Sequence, residues 1–199
     1  MWGPSMFSKD KDDKEEKGGG FASLLLKTRT VLINGEVDHE LAEHVIAQLV
    51  VLDSESHDPI KAFVTSQGGH VDSGFAIHDM LRCVESRVIT IGTGWVASIA
   101  VPILFGAAKE DRYSLPNTRF LLHQPSGGAG GPLSDIRIEA REIIKLREKI
   151  NQMIADETGQ PVDKVASDSD RNFWMNAEEA LEYGIISRII TNMGDLKLG

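Results

Sequence analysis

The chain has 199 residues, 21 Lys+Arg against 30 Asp+Glu, a formal net charge of −9 and one cysteine. That length suits a single domain with a substantial core, and 41% hydrophobic and 26% charged residues are ordinary for a soluble globular protein. The charge balance excludes a general nucleic-acid surface, and the lone Cys83 excludes an internal disulfide and a multi-cysteine zinc site.

Residues 1–20 come first and are rich in Lys, Asp and Glu, closing on Gly18-Gly19-Gly20. Such a segment cannot bury enough apolar area to offset chain entropy, so a disordered, charged N-terminal tail is expected. It lacks the basic start and apolar stretch of a signal peptide, because Leu24-Leu25-Leu26 is too short. No apolar run reaches the ~18–20 residues that span a bilayer, so neither a membrane segment nor a membrane partner is expected. The expectation is a cytoplasmic protein with a free, buried Cys83. The folded domain is placed at 21–193, with a short C-terminal tail at 194–199.

Val31-Leu32-Ile33 reads as a strand ended by Asn34-Gly35. Asp38 is an N-cap for a helix to about Leu52, with Leu41, Val45, Ile46, Leu49 and Val50 on one face. Ile60–Thr65 is a second strand, followed by a Gly68-Gly69 turn. Asp72 or Ser73 caps a second helix whose core candidates are Phe75, Ile77, Met80, Leu81 and Val84. Val88–Ile91 is a buried strand. A helix over about 97–107 is apolar nearly all round and belongs at the centre of a domain or an assembly.

Arg119–His123 is a further strand, and 126–131 a glycine-rich segment. A long helix of alternating charge follows over 134–157, with a stripe of Ile136, Ile143, Ile144, Leu146 and Ile150. Its length for so small a domain points to a projecting part that packs on a partner. A short helix over 177–183 ends at Gly184, and Ile185–Ile190 is a last strand. Strand and helix alternate throughout, which is an α/β domain.

Four features could carry chemistry. Ser98 follows a buried strand and opens an apolar helix, where developing negative charge is favoured; taken alone, a small helix-start residue is the blander explanation. The Gly-x-Ser-x-Gly elbow is absent, since Val96 and Ala100 fill the glycine positions. His123 at a strand-to-loop junction can present its ring as a general base, or be an ordinary half-buried histidine. Gly68-Gly69 can turn a backbone N–H toward a substrate carbonyl, or simply turn the chain.

The fourth feature is residues 92–97 (GTGWVA), which match the dinucleotide fingerprint. The acidic residue that should end a second strand about 20 residues on is missing, because Glu110 and Asp111 follow a helix. Nucleotide binding therefore stays a minor alternative. The remaining histidines, His39, His44, His57, His70 and His78, show no metal-ligand spacing and are expected to be structural or exposed.

Six segments carry a resemblance by their order and spacing. They are Thr65-Ser-Gln-Gly-Gly-His-Val-Asp-Ser-Gly74, Gly94-Trp-Val-Ala-Ser98, Leu115-Pro-Asn117, His123-Gln-Pro125 with the glycines after it, Thr158-Gly-Gln160, and Ala177-Glu-Glu-Ala-Leu-Glu-Tyr-Gly184. Together they resemble the ClpP family, the proteolytic subunits of Clp proteases, over residues 22–190. The resemblance implies the ClpP/crotonase fold, a spiral of βαβ units with a long projecting handle helix. It implies a serine endopeptidase in which Ser98 is the nucleophile, His123 the general base, and the backbone N–H groups of Gly69 and Ile99 the oxyanion hole. It further implies two stacked seven-membered rings, homomeric or mixed with a paralogue. An AAA+ unfoldase would feed in unfolded polypeptide, and an extended substrate would pair as an added strand. No cofactor is implied in this chain, since ATP is used by the unfoldase.

The sequence departs from the family pattern in three places. The motif Asp-x-Asp-Arg-Asp reads Asp168-Ser-Asp170-Arg171-Asn172 here, so the third triad position is Asn172. The glycine-loop proline is Gln67, and the N-terminal axial segment is replaced by the charged tail. An Asn carbonyl can hold the His123 tautomer but supplies no charge for the imidazolium. The expectation is a peptidase of low activity alone; the alternative is a non-catalytic structural subunit of a mixed barrel. The 97–107 helix and the long helix are the expected assembly contacts.

Overall fold

The computed structural model describes residues 20, 23–125 and 130–196. Residues 1–19 of the tail expected over 1–20, residues 21–22, the glycine-rich residues 126–129 and the chain end at 197–199 lie outside the described residues. The α/β reading holds. Among the described residues from Thr30 on, six α-helices and seven strands follow in chain order: β1 Thr30–Val37, α1 His39–Glu55, β2 Ile60–Gly69, α2 Val71–Cys83, β3 Val88–Ala97, α3 Ala100–Leu104, β4 Arg112–Ser114, β5 Arg119–Leu122, α4 Leu133–Thr158, α5 Val162–Asp168, β6 Phe173–Met175, α6 Ala177–Tyr183 and β7 Arg188–Ile189. Strand order is β1-β2-β3-β4-β7, with β5 on β3 and β6 on β5. All pairs are parallel except β5–β6.

The first two βαβ units follow from local chemistry. Asp38 accepts from the Leu41 N–H at 2.8 Å and starts α1. Ala42, Val45, Leu49 and Leu52 form its buried face, while Val50 is 51% exposed and so is not part of the core face. Helix α2 begins earlier than Asp72 or Ser73: His70 is its cap, with Nδ1 accepting from the Ser73 N–H at 3.2 Å. An imidazole nitrogen with a free lone pair serves there as an Asp oxygen would. Cys83, expected buried, is exposed, because it sits on the last turn of α2 on the face away from the sheet.

Strands β2 and β3 run beyond the expected ends, to Gly69 and Ala97, so both glycine-containing turns are continuations of the parallel ladder. The apolar 97–107 segment contains only the short helix α3. Beyond Leu104 its bonds tighten to i→i−3: Phe105 N–H donates to Pro102 O and Gly106 N–H to Ile103 O, both at 3.0 Å. Ala100, Val101, Ile103, Leu104 and Phe105 are wholly buried inside the domain, so this segment is core and not an assembly surface. A Cβ on Gly106 would meet Leu81 Cβ at 2.6 Å, which fixes the close approach of this segment to α2.

Elements β4, α5 and β6 are too short for periodicity to reveal and were not expected. The last strand is only Arg188–Ile189. Helix α6 agrees with the sequence at both ends: Asn176 and Glu179 form a capping box, and Gly184 closes it with φ 95°. Helix α4 leaves the domain. Residues 131–142 are exposed throughout, and only Asn151, Ile154, Ala155 and Thr158 are buried.

Candidate active site

Ser98 sits at the end of β3 with φ 58°, in the left-handed region that β-carbon sterics disfavour. Its N–H donates to Leu121 O at 2.9 Å, and its carbonyl accepts from the Val101 N–H at 3.0 Å. Those bonds hold a tight turn between β3 and α3 with Ser98 at its apex. The pairing Ser66–Val96 brings the end of β2 alongside. Gly68 has φ 90°, and a Cβ there would lie 2.6 Å from Ser98 Cβ and 2.8 Å from Ala97 O. Only glycine lets the two turns touch.

Gly69 has φ 153°, and the following His70 N–H donates to Val37 O at 2.6 Å. The Ile99 N–H, directly after Ser98, makes no backbone hydrogen bond among the described residues. Ser98, Ile99, Leu122, His123 and Pro125 line one narrow cavity of ≈ 20 Å³, closed by Val71, Ile150 and Ile154. That volume is about the size of one water.

His123 is the first residue after β5, and Asn172 the last before β6. Strand register is Phe120–Met175, Leu121–Trp174, Leu122–Phe173, so one further step opposes His123 to Asn172. Directly opposed antiparallel residues have Cβ atoms about 5 Å apart on the same face. Gln124 Nε2 continues the approach by donating to Asp170 O at 2.8 Å. Among the described residues no hydrogen bond joins Ser98 to His123 or His123 to Asn172. In catalytic sites without substrate such hydrogen bonds are often long and tighten only in the substrate complex.

The acidic residues beside Asn172 are engaged elsewhere. Asp170 pairs with Arg147 at 3.1 Å, inside this chain. Asp168 pairs with Lys164 at 2.6 Å and accepts from Tyr183 OH at 2.9 Å. Burial and that same carboxylate push the Tyr183 hydroxyl well above the usual tyrosine range. Neither acid is free to serve His123. His39 and His70, expected to be structural or exposed, both place Nδ1 on Ser73 Oγ, at 3.2 and 2.9 Å. GTGWVA is the end of a parallel strand rather than the start of a nucleotide loop. No group of three or more His, Cys, Asp or Glu among the described residues could hold a metal, and no helix among them is long and apolar enough to cross a membrane.

Sequence reasoning missed the residues that shape the cavity, Val71, Ile150 and Ile154, which come from α2 and α4. The only signal they carry is membership of an apolar face. It also missed the stacked pair Trp95–Trp174; Trp174 lies on β6, two residues after Asn172.

Comparison with known proteins gives one family. The profile described as Clp protease matches residues 13–193. The ATP-dependent Clp protease proteolytic subunit 3 of Rhizobium meliloti is 52% identical over 194 residues, covering 94% of this chain and 100% of that protein. The ATP-dependent Clp protease proteolytic subunit 2 of Pseudomonas aeruginosa is 48% identical over 195 residues, covering 94% and 97%. Among solved structures, an asparagine-to-aspartate mutant of ClpP1 from Listeria monocytogenes is similar with TM-score 0.83 and 50% identity, covering 89% of this chain and 99% of that one. ClpP1 from the same organism is similar with TM-score 0.81 and 49% identity.

Proposed function

This chain belongs to the Clp protease family, and on that premise we propose that it is a serine endopeptidase subunit of an ATP-dependent Clp-type protease, cutting unfolded polypeptides inside a barrel. Ser98 Oγ attacks the substrate carbonyl while His123 Nε2 takes its proton. The Gly69 and Ile99 N–H groups receive the oxyanion, His123 returns the proton to the leaving amine as the C–N bond breaks, and a water deprotonated by His123 then hydrolyses the acyl ester and frees Ser98. Asn172 Oδ1 accepts the His123 Nδ1–H bond and keeps the tautomer, without a charge to stabilise the imidazolium. The observation that carries this reading is the left-handed turn at Ser98, with Gly68 packed on its Cβ and His123 in the same cavity. No cofactor enters the chemistry of this chain; ATP is consumed by an AAA+ unfoldase partner.

The reading includes assembly into stacked seven-membered rings, with α4 as the contact between rings. It also includes weak activity alone, supported by the neutral Asn172 and by the open Ser98–His123 contact. The same two features support a second reading, a non-catalytic subunit of a barrel shared with a complete paralogue. A fluorophosphonate probe separates the two. The peptidase reading expects labelling that disappears in Ser98→Ala, raised by a paralogue or an unfoldase. No labelling of this chain in any assembly would leave the structural subunit as the better account.

A further inference from the structure

Two indoles lie exposed beside the candidate site. Trp95 is 43% and Trp174 37% exposed, and their rings stack with planes 7° apart and centroids 6.4 Å apart. The Arg119 guanidinium lies 4.3 Å from the Trp174 ring centroid. Their place in the sheet is what gives them meaning. Trp95 pairs with Arg119 and Ala97 with Leu121 in the parallel β3–β5 ladder. Leu121 opposes Trp174 in the β5–β6 ladder. Side chains alternate along each strand, so Trp95, Arg119 and Trp174 share the sheet face that carries His123 and Asn172. Phe120, Leu122 and Met175 point the other way, into the core.

Trp95 precedes Ser98 by three residues at the end of β3, about 10 Å along the strand, and Trp174 follows Asn172 by two residues, about 7 Å. An extended peptide advances about 3.3 Å per residue. A substrate bond held at Ser98 therefore carries a side chain over the indoles two or three residues away. We infer that Trp95 and Trp174 form a specificity-determining subsite that takes an aromatic side chain of the substrate at that distance from the scissile bond. The inference rests on the reading of Ser98 and His123 as the reacting pair. Flat indole faces favour stacking with another ring. Arg119 already occupies a face of Trp174 and repels a substrate Lys or Arg brought there, so the subsite also discriminates by charge.

The test uses the full chain in whichever assembly a fluorophosphonate labels. Fluorogenic peptides differ only in Phe or Lys, two or three residues from the scissile bond. The expected result is a Phe-over-Lys preference in kcat/KM that falls about three- to ten-fold in Trp95→Ala/Trp174→Ala, mainly through KM. Trp95→Phe/Trp174→Phe should recover much of it. Binding is read separately from cleavage, in Ser98→Ala with Trp2→Phe, so that the two site indoles are the remaining emitters among three tryptophans. The Phe peptide should shift their fluorescence at concentrations where the Lys peptide does not. An unchanged Phe/Lys ratio in intact assemblies overturns the inference, as does dissociation of the rings in the alanine variant, which would make the pair a contact with a second copy. Absence of probe labelling together with the fluorescence difference would remove the catalytic reading and leave the subsite standing.

Discussion

Residue 172 opposes His123 only because the β5–β6 register carries it there, and its chemistry then depends on one atom. An amide oxygen accepts the Nδ1–H bond; a carboxylate oxygen does so with a charge. Asn172→Asp is therefore expected to raise kcat/KM on a short fluorogenic peptide. The ceiling is ~10⁴-fold, the cost of the reverse change in a serine-protease triad. The gain should be well below that, because a correctly turned amide already fixes the tautomer. Adding Ser98→Ala should abolish it. If Asn172→Asp assembles normally without any gain, the missing charge is not what limits the site. Asp168 and Asp170 offer no substitute, being held by Lys164 with Tyr183 and by Arg147.

Elements are locked to one another by a few charged groups whose removal has measurable consequences. Asp53, near the end of α1, receives the Ser86 hydroxyl at 2.7 Å, the Ser86 N–H at 2.8 Å and the Glu85 N–H at 3.2 Å. The two Ser86 bonds lead in holding its carboxyl down, from the usual 3.8 to about 2. A folded pKa below the unfolded one stabilises the fold above about pH 4, and that contribution fades as pH falls toward about 2. Asp53→Asn should lower the melting temperature at neutral pH and flatten its decline between pH 4 and 2. Thermal melts across that range would show whether the α1-to-β3 connection depends on this charge.

The base of α4 is fastened differently. Arg112 is 1% exposed; its Nε donates to Ala107 O at 3.0 Å, and its Nη2 meets the Glu157 carboxylate. Burial pulls the Arg112 pKa down, and Glu157 opposes that pull. Glu157 also holds Arg82 at 2.9 Å, so one carboxylate ties α4 to both β4 and α2. Glu157→Gln leaves the buried guanidinium without a counter-charge, at a cost of about 3 kcal/mol. Denaturant unfolding should show that loss as a shifted midpoint with an unchanged slope.

For the whole molecule, the decisive feature is a helix half anchored and half bare. Leu133 is 72%, Ile138 55% and Ile144 56% exposed along the projecting part of α4. Apolar side chains at such positions on a solvated helix mark a surface awaiting a partner. The 97–107 segment, by contrast, spends its apolar surface inside the domain. If the proposed rings stack through α4, Ile138→Glu with Ile144→Glu should separate them into single rings while leaving each ring intact, read by sedimentation. A stable particle of 21.8 kDa in the unaltered protein, with a paralogue present as well, would remove the barrel from the proposed function.

Local chemistry was legible directly in the amino-acid sequence. The α/β alternation, the Asp38 cap and the Gly184 stop each follow from the preference of one residue or one short window. Ser98 and His123 could be singled out for the same reason, as residues at strand ends. The rest required tertiary structure, because it depends on which distant segments share a face. Burial of the apolar helix, exposure of Cys83 and the use of His70 as a cap were settled by packing. So was the meeting of Trp95 with Trp174, whereas the relation of Asn172 to His123 was already implied by the family resemblance. Strands of three residues carry too little pattern to fix a register, and a register shifted by one would turn every one of those side chains to the other face.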